Sequence, residues 1–78
     1  MELYPDFTIR HPRTGETFIW EHFGLLDKLN YRKNMLEKLH TYTANDILPG
    51  INLITTHETS EKPLTFEIIE MLIQHYFM

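Results

Sequence analysis

Two short segments near the start of the chain decide the fold: FTIR at residues 7–10 and TFIWEHF at residues 17–23. Both are rich in β-branched and aromatic residues, which favour extended strands. The six residues between them, HPRTGE, include Pro12 and Gly15, which are typical of a turn. The pattern therefore predicts a β-hairpin.

The alternation of side chains along the two strands predicts the register of this hairpin. If Phe7 pairs with Trp20, apolar side chains share one face, and Asp6 lies directly opposite Glu21 on the other. A slip by one residue would break this sorting. Because like charges directly opposite each other destabilise a sheet, the arrangement indicates a cation that bridges the two carboxylates.

An alternative interpretation of this face needs no metal. The two carboxylates are then exposed to solvent, where they are screened by salt or paired with Arg10 or Arg13 of the same hairpin.

The segment after the hairpin has helical periodicity. The spacing predicts a helix from about residue 28 to residue 42, in which one stripe contains Tyr31, Met35, Leu39 and Tyr42, with Leu36 at its edge. Asp27 and Asn30 are the candidate N-caps. Lys38 lies at the edge of the stripe, next to Tyr31 and Tyr42, whereas Lys33 points nearly the opposite way.

A third strand and a last helix complete the predicted fold. Residues 51–57 follow a Pro-Gly turn signal and are rich in β-branched residues, which predicts a strand. Thr65 is placed to cap a helix that runs through Phe77 and is apolar on more than one side. The expected fold is α+β, a single domain over residues 1–78 in the order β-β-α-β-α, with a small mixed sheet.

Composition narrows the classes of protein that fit this chain. Its 78 residues leave room for one small domain, and the absence of cysteine excludes a disulfide scaffold and favours a reducing, cytoplasmic setting. There is no signal-peptide pattern and no run of apolar residues long enough for a membrane span. The formal net charge of −4 argues against tight sequence-independent binding to nucleic acid, so any contact with DNA is expected to be local.

The residues YPDFTI at 4–9 and FIWEHFG at 18–24 resemble the core motif of the PD-(D/E)XK nuclease superfamily, the restriction-endonuclease-like proteins. In that superfamily an Asp on one strand and an acidic residue on the next bind Mg²⁺. The resemblance is sharpest to nuclease-like segments of bacterial proteins, some of them associated with superfamily 1 DNA helicases. It covers most of the chain, because the family's core also continues as strand, helix, strand, helix.

The resemblance implies a catalytic site and a reaction. Asp6 and Glu21 would hold Mg²⁺ or Mn²⁺, together with the carbonyl of residue 22, for hydrolysis of phosphodiester bonds in DNA. The family's usual Lys, two residues after the acidic residue, is replaced here by Phe23. Some members carry this lysine on the following helix, and Lys38 is the candidate for it. The alternative for Lys38 is a surface role, with its stem packed and its amine in water.

The resemblance also shows what this chain lacks. Family members generally place a helix before the Asp strand, and only residues 1–5 precede Asp6 here, so the core looks truncated. The alternative function is therefore a binding or assembly module, which keeps the fold but does not cleave DNA. We therefore expect the partner to be a second copy of the chain or the rest of a longer parent chain.

The five histidines give no zinc pattern, because no pair has the helical spacing of a metalloprotease site. His22 alternates to the face opposite Glu21, where we expect it near Phe7 and Phe18 or at the end of the hairpin.

Overall fold

The computed structural model of the protein describes residues 3–78. They form three strands and two helices in the predicted order, which confirms the α+β assignment. The elements are β1 (Phe7–Arg10), β2 (Thr17–Phe23), α1 (Leu29–Ala44), β3 (Leu53–His57) and α2 (Phe66–Phe77). No helix within these residues is both long enough and apolar enough to cross a membrane.

The strands form one mixed sheet in the order β1-β2-β3. β1 and β2 are antiparallel, and Phe7 pairs with Trp20 as the alternation predicted. β2 and β3 are parallel, with Glu21 beside Thr55. The parallel pairing is possible because α1 carries the chain back across the sheet between these two strands.

The face of the sheet that packs on α2 holds the apolar core. Phe18, Trp20 and Ile54 are buried there, and partly buried side chains pack against them: Ile9, Ile69, Leu72, Tyr76 and Phe77. Edge-to-face ring contacts join Phe18 to the last turn of α2, with centroids 5.1 Å from Phe77. α2 itself has no fully buried residue, so one side of it stays open to solvent.

The opposite face packs on α1 and positions the predicted site. The expected stripe of α1 is turned inward, and Tyr42 is its most deeply buried residue at 1% exposed. Leu36, which was placed at the edge of that stripe, is largely exposed. Tyr31 reaches the end of β2, where its hydroxyl accepts a hydrogen bond from the backbone N–H of Gly24 at 3.3 Å. α1 is thus fixed to β2 by polar as well as apolar contacts.

The predicted caps of α1 are wrong, whereas that of α2 is confirmed. The N-cap of α1 is Lys28, which makes no side-chain cap. The carboxylate of Asp27 instead accepts the backbone N–H of Ser60 at 2.8 Å, in the loop before α2, and this hydrogen bond lowers the pKa of Asp27. Thr65 does cap α2, by accepting the backbone N–H of Ile68.

The third strand begins two residues later than predicted, because the chain turns at its expected start. Gly50 has a φ of 83°, and the backbone N–H of Ile51 donates to the carbonyl of Leu48. The Asn52 side chain accepts the backbone N–H of Leu48 at 2.6 Å. Residues 51 and 52 therefore form these turn contacts in place of the strand pairing predicted for them.

Candidate metal centre

The three residues predicted for the site line one cleft between the hairpin and α1. Asp6 comes from the segment just before β1, Glu21 from β2 and Lys38 from α1. The cleft has a volume of about 200 Å³, and its other lining residues are His22, Phe23, Tyr31, Asn34 and Met35. The structure therefore brings together side chains that lie far apart in the sequence.

Glu21 is the buried anion of this cleft, at only 1% exposed. The Lys38 amine lies 2.9 Å from its Oε1, and the Tyr42 hydroxyl donates to the same oxygen at 2.5 Å. A buried carboxylate is very costly unless it is paired and hydrogen-bonded. Lys38 supplies the paired charge and Tyr42 the hydrogen bond, so both requirements are met for Glu21.

Tyr42 acts as a neutral hydrogen-bond donor. Burial is the main cause that raises the pKa of its phenol, and the hydrogen bond to Glu21 and the charges of Glu21 and Asp6 raise it further. The phenol therefore keeps its proton at neutral pH. The sequence pattern placed Tyr42 in the apolar stripe and missed this role. The signal available was its spacing of four residues from Lys38, which puts both on one side of α1.

Asp6 is exposed, but its side chain is held in place by β2. Its Oδ2 accepts a hydrogen bond from the backbone N–H of His22 at 2.8 Å. His22 directly follows Glu21 in the sequence. The Lys38 amine also lies 3.5 Å from the carbonyl oxygen of Tyr4, which links the segment before β1 to α1. These contacts keep the Asp6 carboxylate beside the mouth of the cleft.

Two carboxylate oxygens of the cleft are candidate ligands for a divalent cation. Oδ1 of Asp6 and Oε2 of Glu21 receive no hydrogen bond from residues 3–78. Mg²⁺ is commonly held by one or two carboxylates, with water and substrate phosphate in the remaining positions. Within the described part of the chain, no cluster of three or more acidic, histidine or cysteine side chains is arranged to hold a metal. One carboxylate oxygen from Asp6 and one from Glu21 are thus the candidate ligands.

His22 lies on the opposite face from Glu21, as predicted, and forms a second polar cluster there. Its Nδ1 lies 2.8 Å from the Thr56 hydroxyl, and its Nε2 lies 2.9 Å from Oε1 of Glu58. Trp20 donates from its indole nitrogen to the same hydroxyl at 3.2 Å. The parallel pairing of β2 with β3 brings these groups together, and alternation within the hairpin alone could not reveal it.

Glu58 connects this cluster to the start of α2. Its Oε2 accepts the backbone N–H of Leu64 at 2.8 Å. This hydrogen bond, followed by the one from His22, lowers the pKa of Glu58. The cluster therefore fixes the loop between β3 and α2 and lies on the face of the sheet opposite Glu21.

A comparison with known proteins does not place this chain in a family. No protein-family model, no curated protein and no solved structure matches it.

Proposed function

We propose that the cleft binds a divalent cation, Mg²⁺ or Mn²⁺, and hydrolyses phosphodiester bonds in DNA, as the resemblance to the PD-(D/E)XK nucleases implies. The observation that carries this proposal is the 2.9 Å contact between Lys38 and Glu21 in a cleft that Asp6 also lines. A lysine on the helix after the hairpin thus lies where the family's lysine would act. The order of the strands and of α1 is also consistent with that core.

The charge of the cleft supports a role for a cation. Asp6, Glu21 and Lys38 together carry one net negative charge, which would repel a phosphodiester anion. A divalent cation reverses that sign, and when bound it supplies a water of lowered pKa and polarises the scissile phosphate. Binding of substrate therefore depends on prior binding of metal.

Four side chains have distinct tasks in this proposal. Asp6 and Glu21 hold the cation through the carboxylate oxygens that receive no hydrogen bond within residues 3–78. Tyr42 fixes the orientation of Glu21 by its hydrogen bond. The Lys38 amine, which is only partly exposed, is placed to position the attacking water or to neutralise charge that develops on the phosphate.

Calorimetric titration tests the metal site directly. We expect Mn²⁺ and Mg²⁺ to give a binding heat with the wild-type chain and none with Asp6→Asn, which keeps the size of the side chain but removes its charge. Circular dichroism of both proteins controls for loss of fold. No heat with the wild type would exclude the metal site and the proposed chemistry with it.

Cleavage of a labelled DNA substrate in Mn²⁺ tests the role of the lysine. Lys38→Met is expected to abolish cleavage while leaving metal binding in place. Lys33→Met is the matched control, because Lys33 is exposed on α1 and does not line the cleft. Equal activity of the two variants would contradict the assignment of Lys38.

A non-catalytic assembly module is the second candidate function. The observation that favours it is the exposed apolar surface on α2, where Phe66 and Met71 are 69% and 70% exposed. Such surfaces commonly contact another chain. If the chain binds metal and DNA without cleaving it, or binds neither, this candidate is preferred over the nuclease.

A further inference from the structure

β1 lies at one edge of the sheet, and within residues 3–78 β2 is its strand neighbour. An edge strand presents unpaired backbone N–H and C=O groups that another strand can use. Pro5 and Pro12 have no N–H, so they bound the segment that can pair. The backbone N–H and C=O of His11 both bond within the turn, so the open part of this edge lies within residues 6–10.

The α2 face of this edge is apolar. Phe7 is 59% exposed, and Ile9 lies two residues further along the same face. Both line a groove of about 370 Å³, whose other lining residues are Trp20, His22, Thr56, Leu64, Ile69 and Ile73. The groove thus begins at the strand edge and extends under α2.

The other face of the same edge carries opposite charges, placed symmetrically. Asp6 and Arg10 lie two residues on either side of Thr8, and all three are exposed. Arg10 forms no ion pair within residues 3–78, and its guanidinium rests beside Gly15 of the turn. Since this side chain is long and exposed, it can turn toward a partner, at the cost of its rotamer freedom.

We propose that two copies of this chain associate through their β1 edges, antiparallel, about a two-fold axis at Thr8. In this register Asp6 lies opposite Arg10 of the partner subunit, and Phe7 lies opposite the partner's Ile9. Both cross-strand pairings are of the kind that stabilises a sheet. Because the axis is perpendicular to the sheet, both α2 helices lie on the same side, and the two apolar grooves join.

Neighbouring registers do not form both of these side-chain pairings. A shift by one residue would place side chains of opposite faces against each other. A shift by two residues would set Phe7 opposite its own copy and separate Asp6 from the partner's Arg10. The sequence of β1 is therefore self-complementary in one register, which is the property that a two-fold interface requires.

Sedimentation equilibrium of the full chain at several concentrations, in the presence of EDTA, tests the apolar part of this interface. The wild type is expected to dimerise, and Phe7→Lys to remain monomeric. Phe66→Lys is the matched control, because Phe66 is also an exposed phenylalanine but does not line the groove. It is expected to dimerise like the wild type.

A charge-swap experiment tests the register. Arg10→Glu and Asp6→Lys each place like charges opposite each other in their own dimers, so each is expected to weaken association roughly tenfold. In a mixture of the two variants, both charge pairs become attractive again. The mixed dimer is therefore expected to regain the wild-type dissociation constant.

Hydrogen exchange provides a readout that does not depend on the variants folding. The backbone amides within residues 6–10 that do not bond to β2 are expected to gain protection as the concentration of the wild type rises. A wild type that stays monomeric, or a dimer unaffected by Phe7→Lys and Arg10→Glu, would overturn the proposal. Asp6 takes part in both proposals, but these measurements are made in EDTA, without metal or DNA. Their outcomes are therefore separable from those for the proposed nuclease activity.

Discussion

The two faces of the sheet bury different kinds of side chain. On the α2 side Ile54 is 1% exposed and is surrounded by other apolar side chains. On the α1 side Glu21 is equally buried, yet it is satisfied by an ammonium and a phenol. A buried ion pair is weak evidence for stability, whereas apolar burial is the main source of it. The α2 face therefore supplies folding free energy, and the α1 face holds the buried ion pair of the candidate site.

The largest effect is expected from truncation on the apolar face. Ile54→Ala should lower the free energy of unfolding by about 2 to 5 kcal/mol, because it removes buried methyl groups and leaves a cavity. Urea denaturation followed by circular dichroism measures the change. Ile51→Ala is the matched control, since Ile51 is 65% exposed and its loss should cost less than about 0.5 kcal/mol. A similar loss of unfolding free energy in both variants would contradict the expected difference between buried and exposed positions.

A smaller effect is expected on the polar face. Tyr42→Phe removes the hydroxyl that donates to Glu21 and should cost about 1.5 to 3 kcal/mol, the range for a hydrogen bond to a charged group. The same denaturation experiment applies. Tyr31→Phe is the control, because its hydroxyl accepts from a neutral backbone N–H and its loss should cost about 1 kcal/mol. A Tyr42→Phe variant as stable as the wild type would show that the Glu21 carboxylate does not depend on the phenol.

The smallest effect concerns acid pH and the loop before α2. The folded state lowers the pKa of Glu58 below its ordinary value of 4.5, so this group contributes stability above pH 4.5 that is lost as the pH falls through the lowered pKa. Urea denaturation at a series of pH values should show a weaker acid dependence in Glu58→Gln than in the wild type. Glu61→Gln, in the same loop, is the control and should keep the wild-type dependence. An unchanged slope in Glu58→Gln would mean that its contacts do not stabilise the folded state.

The hairpin register could be predicted because the side-chain period of a strand leaves only one pairing that sorts apolar from polar residues. The position of Lys38 followed from the helical period, which places it near Tyr31 and Tyr42. The N-cap of α1 could not be predicted in this way. The Asp27 carboxylate could cap α1 or accept a hydrogen bond from another part of the chain. It accepts one from the loop before α2, which is distant in sequence.

The sequence by itself determined the order of the elements and the pairing of Phe7 with Trp20, because local periodicity and turn residues set these features. The tertiary structure decided which side chains meet across elements. It placed Lys38 and Tyr42 on one oxygen of Glu21, and it joined His22 to β3. Such contacts depend on how α1 crosses the sheet and on the parallel register of β2 and β3, and no local pattern encodes either of them.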